Sequence, residues 1–227
     1  MALRMRLFYA LAALSAVLTV AGLVGAFYIT PLEVKQIGFT QKIFYFHVPM
    51  ASTSGVAFGV TLVASIAYLI TRDLKWDTWA YVGAELGLIF GSALMTMGII
   101  WTRSTWGVWW TWDPRLTSYL VVMLLYGAYF VLRSSVEGAA ERARYSASIG
   151  ILGYITVVFT MISTRILRTA HPVVFSLKDP GVTPDMFYTF MVAMWSAFAL
   201  FGAFLLAKVT IENLTEEIAN LKDEIGG

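Results

Sequence analysis

Residues 106–117 read WGVWWTWDPRLT, and the way they interrupt the surrounding text decides the fold. Four of the chain's eight tryptophans fall within these first seven positions, followed at once by Asp113, Pro114 and Arg115. Apolar runs of membrane-crossing length lie on either side. An aspartate and an arginine are expensive at bilayer depth, so the stretch belongs at the membrane surface, between two spans. Indoles there have two readings. They form an aromatic belt at headgroup level, or a flat platform beside fixed charge that suits a large planar ligand bearing carboxylates.

Working outward, the whole chain fits that placement. Of its 227 residues 59% are hydrophobic and 13% charged, against about 25% charged in ordinary soluble domains. Apolar runs occupy 7–29, 51–70, 80–100, 117–132, 146–162 and 187–207. A span needs about 20 residues, with roughly 17 as a lower limit, so the fourth and fifth are short. Pro31, Pro49, Pro114, Pro172, Pro180 and Pro184 fall between the runs, where helix breakers are expected. Arg4 and Arg6 precede the first run as in a signal peptide. That run is too long for one and lacks a small-x-small cleavage site, so it is read as a retained helix.

The expected fold is an all-α integral membrane protein of six transmembrane helices. It forms a single domain over 1–227, with a tryptophan-rich segment at 101–118 on the outer face. After the last span, Ile211, Leu214, Ile218, Leu221 and Ile225 recur at spacings of three and four among acidic residues, which predicts a short amphipathic helix in a tail at 209–227. Its acidic face disfavours binding to anionic lipid and suits contact with a partner subunit or the chain's own loops.

Six crossings put the loops between spans one and two, three and four, and five and six on one side. That side receives His47, the tryptophan cluster and His171. It carries seven Lys and Arg against nine on the other side, which points to a cytoplasmic N-terminus. Against Glu33, Asp113, Asp179 and Asp185, those seven leave the outer side at +3, a charge that attracts an anion. The overall charge of +2 on an apolar chain argues against nucleic acid as a partner.

The chain has no cysteine, which excludes disulfides, thiolate metal sites and covalent c-type haem attachment by this polypeptide. Its two histidines are His47, in FYFHVPMA, and His171, in RTAHPVV. Both are expected in outer loops at the margins of spans. Two imidazoles can complete the coordination of a haem iron from opposite faces. Zinc would need three or four ligands, and carboxylates are scarce nearby. Each histidine could instead bond a backbone carbonyl at the interface. Glu85, the one carboxylate inside a span, reads as a polar contact between helices or subunits, or as a side chain that reaches the interface or stays protonated.

WGVWWTWDPRLT resembles the WWD signature of the haem-handling proteins of cytochrome c maturation. With six spans, flanking histidines and the segment KIFYFHVPMA at 42–51, the chain is similar to the smaller, CcmC-type members of that family over roughly residues 8–204. The resemblance implies that haem b is held non-covalently on the outer face, with His47 and His171 as axial ligands to the metal. It further implies that Trp106, Trp109, Trp110, Trp112 and Asp113 form the platform, and that Arg115 faces a propionate. Arg103, Arg165 and Arg168 are added as propionate candidates from their outer position and charge. Implied partners are the CcmA ATPase, the CcmB and CcmD membrane subunits, and the haem chaperone CcmE, onto which haem is loaded. The chain has no phosphate-binding glycine loop, so ATP hydrolysis would lie in a partner and this subunit would not itself be an enzyme. The setting is a bacterial cytoplasmic membrane with the haem site on its outer side. The competing reading is a haem-independent scaffold or permease subunit of an ABC-type complex, with tryptophans that only anchor the loop.

Overall fold

The computed structural model describes residues 2–32, 38–171 and 182–226; Pro172, Pro180, Glu33 and Asp179 lie outside them. Among the described residues every regular element is helical: α1 (Ala2–Val24), α2 (Phe44–Thr71), α3 (Leu74–Trp106), α4 (Pro114–Ser135), α5 (Ala139–Ile166) and α6 (Pro184–Gly226). A π turn, Gly25–Ile29, ends α1, and a 3-10 turn, Gly38–Ile43, leads into α2. Six of these segments are long and apolar enough to cross a membrane, the number expected from the sequence. The chain is a multi-pass membrane protein.

Helix ends follow local chemistry. α3 stops at Gly107, whose φ of 76° is the left-handed conformation that glycine accepts without cost, and whose N–H bonds the Arg103 carbonyl. α4 starts with Asp113 as N-cap and Pro114 at its first position, where the missing proline N–H has no helical partner to lose. These two signals confine the tryptophan-rich loop to a short bridge between α3 and α4.

Packing uses small and polar groups, as expected where lipid supplies no hydrophobic drive between helices. α1 lies on α6 through hydroxyls: Ser15 donates to the Ser196 carbonyl at 3.1 Å, and Thr19 meets Ser196 at 2.7 Å. α2 approaches α3 so closely at Gly87 that a Cβ there would lie 2.3 Å from the Phe58 ring. Phe58 stacks in turn on Tyr126 of α4, with ring centres 3.8 Å apart.

The end of the bundle away from the histidines is fastened by ion pairs. Arg133 forks onto Asp77 at 2.6 and 2.9 Å, with both groups largely buried. Glu85 of α3 meets Lys208 of α6 at 3.0 Å, and Lys208 also reaches Glu212 at 3.3 Å. Of the readings open for Glu85, the structure supports the polar contact between helices.

Two expectations need revision. Pro49, placed between spans by the sequence, lies buried in the second turn of α2. The helix begins earlier than the apolar run because the 3-10 turn feeds directly into it; the missing N–H then costs only one bond near the helix end, which membrane helices tolerate. His47 is accordingly a helical residue and not a loop residue. The amphipathic tail is likewise no separate element but the continuation of the 43-residue α6. Val209 packs into the core, whereas Ile211, Leu214, Ile218 and Leu221 are exposed and, by helical geometry, project from the opposite face.

Candidate functional site

α2 and α3 present matched faces at one end of the bundle. His47, Ala51, Gly55 and Phe58 follow one another at spacings of four, four and three on α2; Leu94, Gly98, Trp101 and Thr105 follow at four, three and four on α3. Together with the start of α4 and the segment after α5 they enclose a cavity of about 580 Å³, inside the range of about 300–1,000 Å³ typical of cofactor sites. From His47 to Phe58 it extends about 16 Å along α2 at helical rise. Its wall is mostly apolar, and the Tyr119 hydroxyl that lines it is engaged by Ser54, at 2.8 Å, whose own hydroxyl donates to the Gly87 carbonyl at 2.9 Å.

His47 is set by α3. Its ring lies against α3 with Cε1 and Nδ1 toward Gly98, and Nδ1 is sealed from solvent with no partner at normal hydrogen-bond geometry. Gly98 makes the approach possible, since a Cβ there would stand 3.2 Å from His47 Cε1. His171, 124 residues further on, brings its ring centre to 6.3 Å from that of His47, with the planes tilted by 32°. A metal–imidazole bond of about 2.0–2.1 Å and about 1.1 Å from nitrogen to ring centre separate two trans imidazoles on one metal by about 6.2–6.4 Å. In spacing, the two rings therefore fit imidazoles that share one metal. A bare ion held by protein groups fits less well, because no cluster of three or more His, Asp and Glu converges among the described residues.

The other expected site residues separate into three places. Arg115, Trp106 and Trp110 line the cavity beside the histidines. Arg115 is half-buried, and among the described residues its guanidinium has no ion-pair or hydrogen-bond partner, although it feels the nearby Asp113 charge. Trp112, Asp113 and Arg168 border a shallower groove on the outside, which Trp106 shares. Trp109 and Arg103 belong to neither: the Arg103 guanidinium lies 5.5 Å from the Trp109 ring centre and donates to the Gly107 carbonyl, at the end of α3. Trp109 and Trp112 are 61% and 77% exposed, so the expected four-indole platform is divided between cavity and surface. Arg165 is exposed and lines neither space.

Asp113 is engaged within the protein. Oδ1 accepts the Arg115 N–H at 2.9 Å; Oδ2 accepts the Thr169 hydroxyl at 2.6 Å and the Ala170 N–H at 2.9 Å. Partial burial works to raise this carboxyl's pKa, but the hydrogen bonds from Thr169, Arg115 and Ala170, helped by His171, outweigh it and hold the group below the usual carboxylate value.

Trp101 was not anticipated as a site residue. Its ring lies 6.1 Å from His171 and 5.1 Å from Trp106. It follows directly on the third apolar run and reads there as interfacial anchoring. The available signal was its place at the 3-4 spacing with Gly98 and Thr105, which becomes meaningful once α3 is known to continue to Trp106.

Fold and cavity together define a class: a polytopic membrane protein with a ligand-sized, mostly apolar cavity, lined by two histidines, at one end of a six-helix bundle. Within that class the chain belongs to the CcmC family, Heme exporter protein C, whose model matches residues 1–224. It is 32% identical over 213 residues to Heme exporter protein C of Paracoccus denitrificans, covering 91% of this chain and 86% of that protein. Against Heme exporter protein C of Rhodobacter capsulatus it is 34% identical over 142 residues, 63% of this chain and little more than half, 57%, of the relative. The Escherichia coli K12 protein of that name is 27% identical over 161 residues, 71% of this chain and 65% of its own length.

Proposed function

We propose that this protein is a haem-binding membrane subunit of the cytochrome c maturation system, which presents haem at the outer membrane face for transfer to the chaperone CcmE. The observation that carries the reading is the 6.3 Å separation of the His47 and His171 rings, both of which line the cavity. Membership of the Heme exporter protein C family supports haem as the cargo.

In this reading haem b would be held in the cavity without covalent attachment, with His47 and His171 as the residues that would hold its iron. Arg115 neutralises a propionate, which relieves the cost of a half-buried guanidinium. Trp106, Trp110 and Trp101 offer ring surface to the porphyrin. The outward Trp112 and Arg168 flank the edge at which a chaperone would dock. The subunit binds and orients; CcmA supplies ATP hydrolysis, and CcmB and CcmD complete the membrane complex. The whole chain acts as one domain.

The test is optical. Full-length protein purified in detergent and titrated with hemin is expected to give a six-coordinate, low-spin spectrum. His47→Ala and His171→Ala should each convert it to a five-coordinate species. A double variant with the wild-type spectrum overturns the ligand assignment, and a wild-type protein that takes up no haem favours the scaffold or permease alternative.

A further inference from the structure

The aspartate of the tryptophan-rich loop has no need of a ligand to explain its position. We propose that Asp113 is a positioning residue: it hangs the segment carrying His171 on the start of α4 and so sets the distance between the two imidazoles. The proposal rests on the haem-ligand reading above and assigns Asp113 a different part in it from direct contact with the porphyrin.

Four hydrogen bonds link these groups. α5 ends at Ile166, and the residues after it leave the helix with Leu167 extended. Nothing in helical geometry then fixes where His171 lies. Asp113 does so through Oδ2, which takes both the Thr169 hydroxyl, at 2.6 Å, and the Ala170 N–H, at 2.9 Å. The Thr169 hydroxyl, having donated its proton to Asp113, accepts the His171 N–H at 3.0 Å. A relay of donors therefore runs from the His171 backbone through Thr169 to a carboxylate. That carboxylate is itself held, because Oδ1 caps α4 by accepting the Arg115 N–H at 2.9 Å. One side chain thus joins the helix that carries Arg115 to the segment that carries His171.

The division of labour between the two oxygens makes the inference testable. Asparagine caps helices as well as aspartate does, so Asp113→Asn preserves the bond to Arg115. It offers one acceptor oxygen in place of two, so the clamp on Thr169 and Ala170 is lost. Thr169→Val removes the relay from the other side with almost no change of shape, and Thr169→Ser keeps the hydroxyl.

Full-length wild-type and variant proteins in detergent are titrated with hemin and followed by absorption and electron paramagnetic resonance. Asp113→Asn and Thr169→Val are expected to weaken hemin binding about 10- to 100-fold, the usual effect of losing a group that orients a metal ligand. Both should also populate a five-coordinate, high-spin species like that of His171→Ala. Thr169→Ser should match wild type. If Asp113→Asn and Thr169→Val keep the wild-type low-spin spectrum and affinity while His171→Ala loses them, the positioning role is wrong. If Asp113→Asn weakens binding without changing the spin state and Thr169→Val does nothing, Asp113 contacts the ligand directly and the proposal is equally overturned. Failure of the wild-type protein to form the six-coordinate species sinks the underlying haem reading instead.

Discussion

Gly98 and His47 meet across the α2–α3 interface so tightly that a single added carbon on the glycine would stand 3.2 Å from His47 Cε1. Absence of a side chain on one helix is what allows the imidazole on the other to lie along it. The position of His47 in the cavity wall is therefore set by two helices together.

Gly98→Ala should separate stability from binding. Alanine in a helix interior is favoured over glycine by about 0.5–1 kcal/mol, so the apo protein should be no less stable to thermal unfolding. The His47 ring, however, must shift by a few tenths of an ångström. Hemin affinity is expected to fall several-fold, read by titration beside a melting curve; an unchanged affinity would show that His47 position is not critical.

Arg115 predicts a charge-specific loss. A hydrogen bond to a charged group contributes about 1.5–3 kcal/mol, roughly 10- to 100-fold in affinity. Arg115→Gln should lose that much for hemin and almost nothing for hemin dimethyl ester, which has no propionate charge. Equal losses for both ligands would assign Arg115 to packing.

The tryptophans should be unequal. Trp110 lines the cavity and Trp109 does not. An aromatic contact is worth about 0.5–1.5 kcal/mol beyond its area, so Trp110→Ala should weaken hemin binding roughly two- to tenfold or more, and Trp109→Ala little. The reverse order would place the ligand on the outer surface.

At the far end, Asp77→Asn leaves Arg133 as a buried cation without its carboxylate. Breaking such a pair from one side costs about 3–5 kcal/mol. Denaturant unfolding should show a loss of that order, with the low-spin haem spectrum unaltered in the protein that remains folded.

Much of the architecture was legible because the bilayer imposes it. A span must be about 20 apolar residues long, and charge, proline and glycine mark where it may end; six such segments in 227 residues leave little choice, and their parity sends His47 and His171 to the same end. Hydropathy is blind, however, to where a helix ends outside the apolar layer. α2 therefore began earlier than expected, taking in His47 and Pro49, and α3 ran on through Trp101 to Trp106.

From sequence alone came the membrane class, the number of crossings and the family resemblance, since composition and local order encode each of these. Tertiary structure alone decided that two imidazoles 124 positions apart lie 6.3 Å from each other, that Trp106 and Trp110 turn inward while Trp109 and Trp112 do not, and that Asp113 binds Thr169 and Ala170. The physical reason is that these are relations between elements. Spacing along a helix tells which residues share a face, but the direction in which that face points is settled only when other helices pack against it.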